Sequence, residues 1–312
     1  MKKIKVIAIV GPTASGKTRL SIELAKRVDG EIISADSTQV YKSMDIGTAK
    51  ATIAEMQGVP HHLLDFLDVN QEFSVAEYVA LAKEKILDIR ARGKLPFVVG
   101  GTGLYINSLL NGTSFAEQKS DPVLRENLKK RLEAEGVDAL LRELSSFDQE
   151  SAKKLHPHDT LRIIRAIEVY KLTGITMTQH IANSKKETSP YEPLMIGLKY
   201  RNRDLLYEKI NSRTDKMLEK GLLDEAKKIL SSNCSKTAMN AICYKEFKPY
   251  FCNECTLEKA VENLKMQTRH YAKRQLTWLR RDERINWVYM DEYSSFEDII
   301  RFCIDLIDVY KH

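Results

Sequence analysis

The chain has 312 residues, of which 43% are hydrophobic and 29% are charged, and its formal net charge is +6. This length allows one large or two moderate domains of roughly 100–200 residues each. No apolar run reaches the ~18 residues of a membrane-spanning helix, and Met1-Lys2-Lys3 leads directly into a strand pattern, so we expect a cytoplasmic protein that does not bind membranes. Five scattered cysteines argue against a disulfide framework, and the modest positive charge permits an anionic partner without requiring one.

The most informative motif is a phosphate-binding loop near the start of the chain. The run GPTASGKT matches G-x-x-x-x-G-K-[ST], the P-loop or ATP-binding type of motif, and lies between an apolar strand pattern and a helical pattern. In such a loop the backbone N–H groups turn inward, the helix directs its positive end at the ligand, and the lysine adds a charge. The motif therefore predicts a site for a ligand with at least two linked phosphates. Its residues are Gly11, Pro12, Thr13, Ala14, Ser15, Gly16, Lys17 and Thr18.

The candidate strand at 95–99, with its following loop to residue 105, has no acid at the strand end. The strand pattern at 95–99 is followed by Gly-Gly-Thr-Gly-Leu-Tyr. A nucleotide hydrolase of this loop type places an aspartate there, where it helps to hold Mg²⁺. The diphosphate can therefore belong to something other than a hydrolysed nucleotide, and displacement of pyrophosphate becomes an alternative to phosphate transfer.

Strand and helix patterns alternate over the first part of the chain. This alternation predicts an α/β fold, with a P-loop-type parallel sheet covered by helices on both faces. Ligands bind at the carboxyl ends of strands in such sheets, which is where the phosphate loop, Asp36 and the 100–105 turn fall. The predicted strands are 4–10, 31–35 and 95–99, and the predicted helices are about 16–28, 74–92 and 102–111.

Between about residues 115 and 190 the pattern changes to helices without strands. A short buried strand is predicted at 194–198, where the α/β pattern returns. We therefore expect an all-helical domain, residues 115–193, inserted into a catalytic core formed by 1–114 and 194–312 with its C-terminal helices.

Residues 265–284 form a basic stretch with seven Lys or Arg residues and two acids. Arg269, Lys273 and Arg280 fall on one helical face, and the aromatic residues Tyr271 and Trp278 lie between them in sequence. This pattern suits a nucleic-acid backbone. It equally suits a solvated helix face with Trp278 in the core, so both interpretations stay open.

Seven short segments carry a family resemblance. They are GPTASGKT at 11–18, DSTQVY at 36–41, GTAK at 47–50, HHLLD at 61–65, FSVAEY at 73–78, GGTGLY at 100–105 and AKRQLTW at 272–278. In number and order they resemble the bacterial tRNA dimethylallyltransferases, the tRNA isopentenyltransferases of the IPP transferase family. The match runs from the first strand to about residue 284.

The resemblance implies a reaction. A dimethylallyl group would pass from dimethylallyl diphosphate to N6 of the adenosine 3′-adjacent to the anticodon, position 37 of tRNA, with release of diphosphate. The phosphate loop would then hold the prenyl donor rather than ATP, which agrees with the missing acid. Mg²⁺ is the expected cofactor, bound through the diphosphate and Thr18, and the expected partner is a tRNA anticodon stem-loop binding to a monomer with an inserted tRNA-binding domain.

The resemblance also assigns roles to residues. Asp36 looks like the general base near the attacking amine, although a carboxylate after a strand can also act as a structural cap. Ser37, Thr38 and Gln39, together with Asp36, would contact the target base, which must leave its stack. Arg213 would assist Thr18 in neutralising the departing diphosphate. Further tRNA contacts, which position the backbone more than they read sequence, are implied for Thr102, Arg125, Leu161, Arg162, Ile163, Ile164, Arg165, Lys273 and Arg274.

One residue departs from the family pattern. The family commonly has Ile-Gly-Tyr-Lys-Glu where this chain has Ile-Cys-Tyr-Lys-Glu, with Cys243 at the glycine position. A glycine there would permit a positive φ or a close backbone approach, and cysteine permits neither as easily.

Two other functions remain as alternatives. A prenyltransferase acting on free AMP, ADP or ATP would use the same donor, but it needs neither a helical insertion nor the basic 265–284 stretch. A small-molecule P-loop kinase needs ATP turnover, against which the absent strand-end acid argues.

Overall fold

A computed structural model of the chain describes residues 3–113, 121–186 and 188–311. Six strands form one parallel sheet in the order β3-β2-β4-β1-β5-β6, which confirms the predicted α/β fold. The strands are β1 Ile4–Val10, β2 Gly30–Ser34, β3 His61–His62, β4 Leu95–Gly100, β5 Tyr191–Lys199 and β6 Ile285–Tyr289.

The chain divides into two compact units, one containing Met1–Leu110 with Pro190–His312 and the other containing Asn111–Ser189. The predicted start of an insertion at residue 115 lies outside the described residues. Strand β5 starts at Tyr191, before the predicted residue 194, because Tyr191 already pairs with Ile4 of β1.

Helices connect the strands of the first unit and make up the described secondary structure of the second. In the first unit they are α1 Lys17–Arg27, α2 Ile53–Met56, α3 Val75–Ala91, α4 Gly103–Leu110, α10 Arg203–Glu219, α11 Leu222–Leu230, α12 Lys236–Met239, α13 Lys248–Phe251, α14 Leu257–Leu279 and α15 Phe296–Lys311. In the second unit they are α5 Pro122–Glu135, α6 Val137–Phe147, α7 Gln149–Lys154, α8 Thr160–Thr173 and α9 Met177–Lys186. Within the described ranges, none of the helices is long and apolar enough to cross a bilayer.

Both faces of the sheet are covered. Ile7 and Ile9 of β1 join Leu20 of α1 and Ile300 of α15 in one apolar cluster. Successive residues of a strand point to opposite faces, so the equally buried Ala8 lies on the other face, where α3 and α4 pack against the strands. This layering leaves the carboxyl ends of β1, β2 and β4 as neighbours at one edge of the sheet.

The glycine-rich turn after β4 is packed against two other parts of the first unit. A Cβ atom on Gly100 would lie 2.2 Å from the carbonyl oxygen of Ala35, at the end of β2. A Cβ atom on Gly103 would lie 2.2 Å from the Trp278 ring of α14. The turn therefore needs glycine because the end of β2 and helix α14 approach its backbone closely, and Trp278 is a packing residue.

Candidate active site

The phosphate loop joins β1 to α1. Gly16 has φ of +90°, a conformation that favours glycine, and it directly precedes the first residue of α1. The Nζ atom of Lys17 donates a hydrogen bond of 2.6 Å to the carbonyl oxygen of Pro12. The Ser15 hydroxyl is buried, and it has no hydrogen-bond partner within the described parts of the chain. A buried hydroxyl without a partner is costly, so this loop is suited to an added acceptor such as a phosphate oxygen.

Two partly buried cations lie together beside the loop. Burial lowers the pKa of Lys17 to about 7, and the nearby charge of Arg213 acts in the same direction, while Asp36 opposes it. Burial also lowers the pKa of the Arg213 guanidinium, which Cys243 and Asp36 partly offset. Two cations that are both destabilised by burial provide a strongly favourable place for an anion.

Two cavities of the first unit share these cations. The smaller cavity contains Asp36 together with Thr13, Gln39 and Gln275, and the larger one has a volume of about 930 Å³. Lys17, Thr18, Ala49, Ala51 and Arg213 line both cavities. The sequence-predicted loop, base and arginine are thus brought together around one site, with Lys17, Thr18 and Arg213 at its centre.

Asp36 both caps the loop after β2 and faces the smaller cavity. Its Oδ1 atom accepts hydrogen bonds from the backbone N–H (2.9 Å) and the hydroxyl (2.7 Å) of Thr38. The backbone N–H of Ser37 donates to the Thr102 hydroxyl at 3.1 Å, which ties this loop to the turn after β4. Because the cap uses Oδ1, the second carboxylate oxygen of Asp36 remains for a ligand in the cavity.

Helix α14 supplies site residues that the sequence analysis did not identify. The Gln275 side chain accepts from the backbone N–H of Thr13 at 2.8 Å and donates to the carbonyl oxygen of Gly101 at 3.0 Å. Tyr271 lines the smaller cavity, and burial together with the charge of Asp36 raises the pKa of its phenol. Gln275 therefore fixes the phosphate loop against the glycine-rich turn.

The basic side chains of α14 divide between two environments. Lys273 and Arg274 are exposed, and so is Arg280 just after the helix. Arg269 instead donates a hydrogen bond of 2.8 Å to the Asn211 side chain on α10. One face of α14 therefore packs on the site, while Lys273 and Arg274 remain exposed and their contact with a nucleic acid stays a prediction.

In the second unit, the Leu161–Arg165 stretch belongs partly to the core. Leu161 is 73% exposed and Arg162 is also exposed. The tRNA contact expected for Ile163 and Ile164 stays a prediction, but their side chains are buried among the apolar residues of α5, α6 and α8. The physical reason is that they form the apolar stripe of an amphipathic helix.

Two arginines of the second unit bind one buried acid. Arg125 on α5 donates to Glu168 on α8, with its Nη2 atom 2.8 Å from Oε2. Arg165 binds the same oxygen at 2.8 Å. These hydrogen bonds keep the pKa of Glu168 low although burial opposes them, and they leave the Arg125 side chain partly exposed.

Cys243 adopts the backbone conformation that the family glycine would favour. Its φ is +88°, its side chain is buried, and its N–H donates to Glu246 at 3.0 Å. Burial raises the pKa of the thiol to about 12, although the charge of Arg213 opposes this. Cys243 is therefore a neutral thiol beside the Arg213 guanidinium, on a strained backbone.

The strained backbone at Cys243 predicts that a glycine variant is more stable than an alanine variant, the reverse of the usual order of stability for these two residues. A left-handed conformation costs a residue with a Cβ atom roughly 1–2 kcal/mol. We therefore expect Cys243→Gly to be more stable to urea unfolding than Cys243→Ala by about 1 kcal/mol, since both lose the sulfur and only glycine loses the strain. An alanine variant as stable as the glycine variant would show that the backbone is not strained.

The shifted Lys17 predicts proton uptake when a diphosphate binds. Free enzyme loses the lysine proton as pH rises through about 7. A bound anion favours the charged form and raises this pKa, so donor affinity should fall with rising pH between about 7 and 9, by at most about tenfold per unit. Calorimetry at pH 8 in two buffers of different ionisation enthalpy should detect the uptake. Lys17→Arg should abolish it, and wild-type protein that takes up no proton would contradict the prediction.

Comparisons with known proteins were made for the whole chain. The sequence model of the IPP transferase family matches residues 39–282. The chain is 50% identical over 289 residues to tRNA dimethylallyltransferase of Bacillus subtilis, covering 92% of this chain and 91% of the relative. It is 49% identical over 299 residues to the enzyme of that name from Caldanaerobacter subterraneus, covering 95% of each chain.

Two solved structures are similar to this chain over nearly its whole length. The tRNA isopentenylpyrophosphate transferase of Bacillus halodurans matches with a TM-score of 0.73 and 45% identity, over 98% of this chain and 96% of that one. A eukaryotic dimethylallyltransferase acting on tRNA matches with a TM-score of 0.82 and 32% identity, over 97% of this chain and 79% of that one. The resemblance seen in the sequence is confirmed, and the chain belongs to the IPP transferase family of tRNA isopentenyltransferases.

Proposed function

We propose that the protein transfers a dimethylallyl group from dimethylallyl diphosphate to N6 of the adenosine at position 37 of tRNA, with release of diphosphate. The observation that carries this proposal is the smaller cavity, where a carboxylate, Asp36, faces the partly buried cations Lys17 and Arg213. A proton acceptor next to a diphosphate site is the arrangement that amine alkylation by a diphosphate ester requires.

The bond changes can be assigned to residues. The N6 nitrogen attacks the first carbon of the prenyl group as the bond from that carbon to the diphosphate oxygen breaks. The free oxygen of Asp36 accepts the proton that the amine loses, because the lone pair of an exocyclic adenine amine is poorly nucleophilic while delocalised into the ring. Lys17 and Arg213 neutralise the charge that grows on the diphosphate.

We propose that Mg²⁺ binds at this site mainly through the diphosphate. Within the described parts of the chain, no group of three or more His, Cys, Asp or Glu side chains could hold a metal ion. The Thr18 hydroxyl is the protein ligand that we propose, with diphosphate oxygens supplying most of the rest. When bound, Mg²⁺ supplies further positive charge to the leaving group.

We propose that the acceptor is tRNA because exposed basic residues extend beyond the cavities. Lys273 and Arg274 on α14 are exposed, as is Arg162 on α8, and each can meet a phosphate. The acceptor test uses diphosphate release with an unmodified anticodon stem-loop, AMP or ATP in turn. Efficient release with AMP would favour the nucleotide-level enzyme, and ADP formed from ATP would favour a kinase.

The salt dependence of tRNA binding tests the backbone contacts. For wild-type protein, the logarithm of the association constant should fall linearly with the logarithm of salt concentration. Lys273→Ala and Arg274→Ala should each reduce the slope by about 0.7–0.9, the share of one released counterion. Lys228→Ala, which removes an exposed charge from α11, is the control and should leave the slope unchanged. Unchanged slopes in both α14 variants would contradict these contacts.

A further inference from the structure

We propose that Glu225 is a positioning residue for the reaction. It fixes the segment of residues 45–51, and through that segment it orients the Gln39 side chain and holds the wall shared by the two cavities. This inference rests on the proposed function. The contact between Glu225 and the backbone of residues 45–47, which we call the clamp, can be measured without the reaction.

Glu225 binds the segment through both carboxylate oxygens. Its Oε2 atom accepts the backbone N–H groups of Asp45 at 3.0 Å and Ile46 at 2.9 Å. Its Oε1 atom accepts the backbone N–H of Gly47 at 2.8 Å and the Tyr244 hydroxyl at 2.8 Å. Three successive backbone N–H groups that converge on one carboxylate form an anion-binding nest, so the negative charge of Glu225 is part of the contact.

Tyr244 completes the clamp by packing. A Cβ atom on Gly47 would lie 2.7 Å from the Tyr244 ring, so the backbone of the segment rests directly on that ring. Tyr244 is fully buried, and it follows Cys243, the residue beside Arg213. The segment is therefore held between Glu225 of α11 and the Tyr244 ring, which is adjacent in sequence to Cys243.

The held segment fixes Gln39. The Nε2 atom of Gln39 donates to the carbonyl oxygens of Thr48 at 3.0 Å and Ala49 at 3.4 Å. Because the amide nitrogen is turned toward the segment, the amide oxygen is fixed on the other branch of the side chain, in a residue that lines the smaller cavity with Asp36. A fixed acceptor at this position can select a base that presents an N–H donor.

The segment also forms a wall that the two cavities share. Ala49 and Ala51 line both cavities, and the Lys50 ammonium pairs with Asp45 and Asp65 at 2.5 Å and 2.6 Å. The Lys50–Asp65 pair ties the segment to the residues after β3, while Glu225 holds its backbone N–H groups. Releasing the N–H groups should therefore loosen both the Gln39 amide and the shared wall.

The first test is amide hydrogen exchange of residues 45–47 in the folded protein. Glu225→Gln has the same shape but turns an NH₂ group toward donors that need an acceptor, so exchange there should speed up at least tenfold. Asp224→Asn, which removes an exposed carboxylate from the neighbouring position of α11, should leave exchange unchanged. Unchanged exchange in Glu225→Gln would overturn the clamp whether or not the protein modifies tRNA.

The second test is steady-state kinetics with tRNA, corrected for the folded fraction. Glu225→Gln should lower kcat/KM for tRNA by about 10- to 100-fold, the range for loss of a charge-assisted hydrogen-bond set. Glu225→Asp, which keeps the carboxylate, should recover part of this loss, and Tyr244→Phe, which removes one donor of four, should lose less than Glu225→Gln. Wild-type kinetics in Glu225→Gln, or equal losses in the Gln and Asp variants, would overturn the positioning role. If Glu225→Gln does not fold, the Asp and Phe variants decide, because both must then show faster exchange at residues 45–47 than Asp224→Asn.

Discussion

Asp36→Ala is expected to lower kcat by about 10²–10⁴, the usual contribution of a positioned proton acceptor, while affinity for the prenyl donor stays close to normal. The carboxylate faces the smaller cavity, where we place the acceptor amine, whereas the diphosphate is assigned to Lys17, Thr18 and Arg213. Single-turnover rates and donor dissociation constants measure the two effects separately. Full turnover in the alanine variant would show that the base lies elsewhere.

The Asp36→Asn variant separates the proposed role of Asp36 as a general base from its role as a cap of the loop after β2. Asparagine keeps an oxygen that can accept the Thr38 hydrogen bonds now made by Oδ1, so the loop after β2 should remain in place. It cannot accept the proton of the amine. We therefore expect Asp36→Asn to lose nearly as much activity as Asp36→Ala. An asparagine variant with near wild-type turnover would assign Asp36 a structural role alone.

Arg213→Ala is expected to lower kcat by about 10²–10³, the cost of removing one group that stabilises developing charge in a water-excluded site. Thr18→Ala should act on the same diphosphate and have a smaller effect, since its hydroxyl carries no charge. Because both residues act on one developing charge, the double variant should lose less than the product of the two single losses. Single-turnover rates of the four proteins provide the double-mutant cycle.

Two controls sharpen the Arg213 experiment. Arg213→Lys keeps the charge but loses the planar fork, so it should recover part of the alanine loss if charge dominates. None of these variants should change tRNA binding in the absence of donor. Strictly multiplicative losses in the cycle would contradict a shared role at the leaving group.

The local signals of the sequence predicted part of the sheet and the phosphate loop, whereas the role of Arg213 was expected only from the family resemblance. The motif at 11–18 and the apolar strand patterns are set by neighbouring residues, so β1, α1 and β4 were predicted to within a residue or two. The short strands β3 and β6 were not predicted, because two and five residues carry too little periodicity.

The site residues that the sequence analysis did not identify could be recognised only by knowing which face of a helix points toward the site. Gln275 binds Thr13 across 262 positions, and Glu225 binds Ile46 across 179 positions. Nothing in the neighbouring sequence of either residue indicates these contacts, and the charges around Gln275 suited both a nucleic-acid-binding surface and a solvated helix face. In α8, Ile163 and Ile164 stand between arginines in sequence but lie on the buried face of the helix.

Mass spectrometry of nucleosides tests the central claim most directly. An unmodified anticodon stem-loop is incubated with the protein, dimethylallyl diphosphate and Mg²⁺, then digested, with a second stem-loop carrying guanosine at position 37 as the control. The proposed reaction predicts N6-dimethylallyladenosine from the first RNA and no prenylated nucleoside from the second. An unmodified first RNA, in an experiment where the same protein converts free AMP to its dimethylallyl derivative, would contradict it.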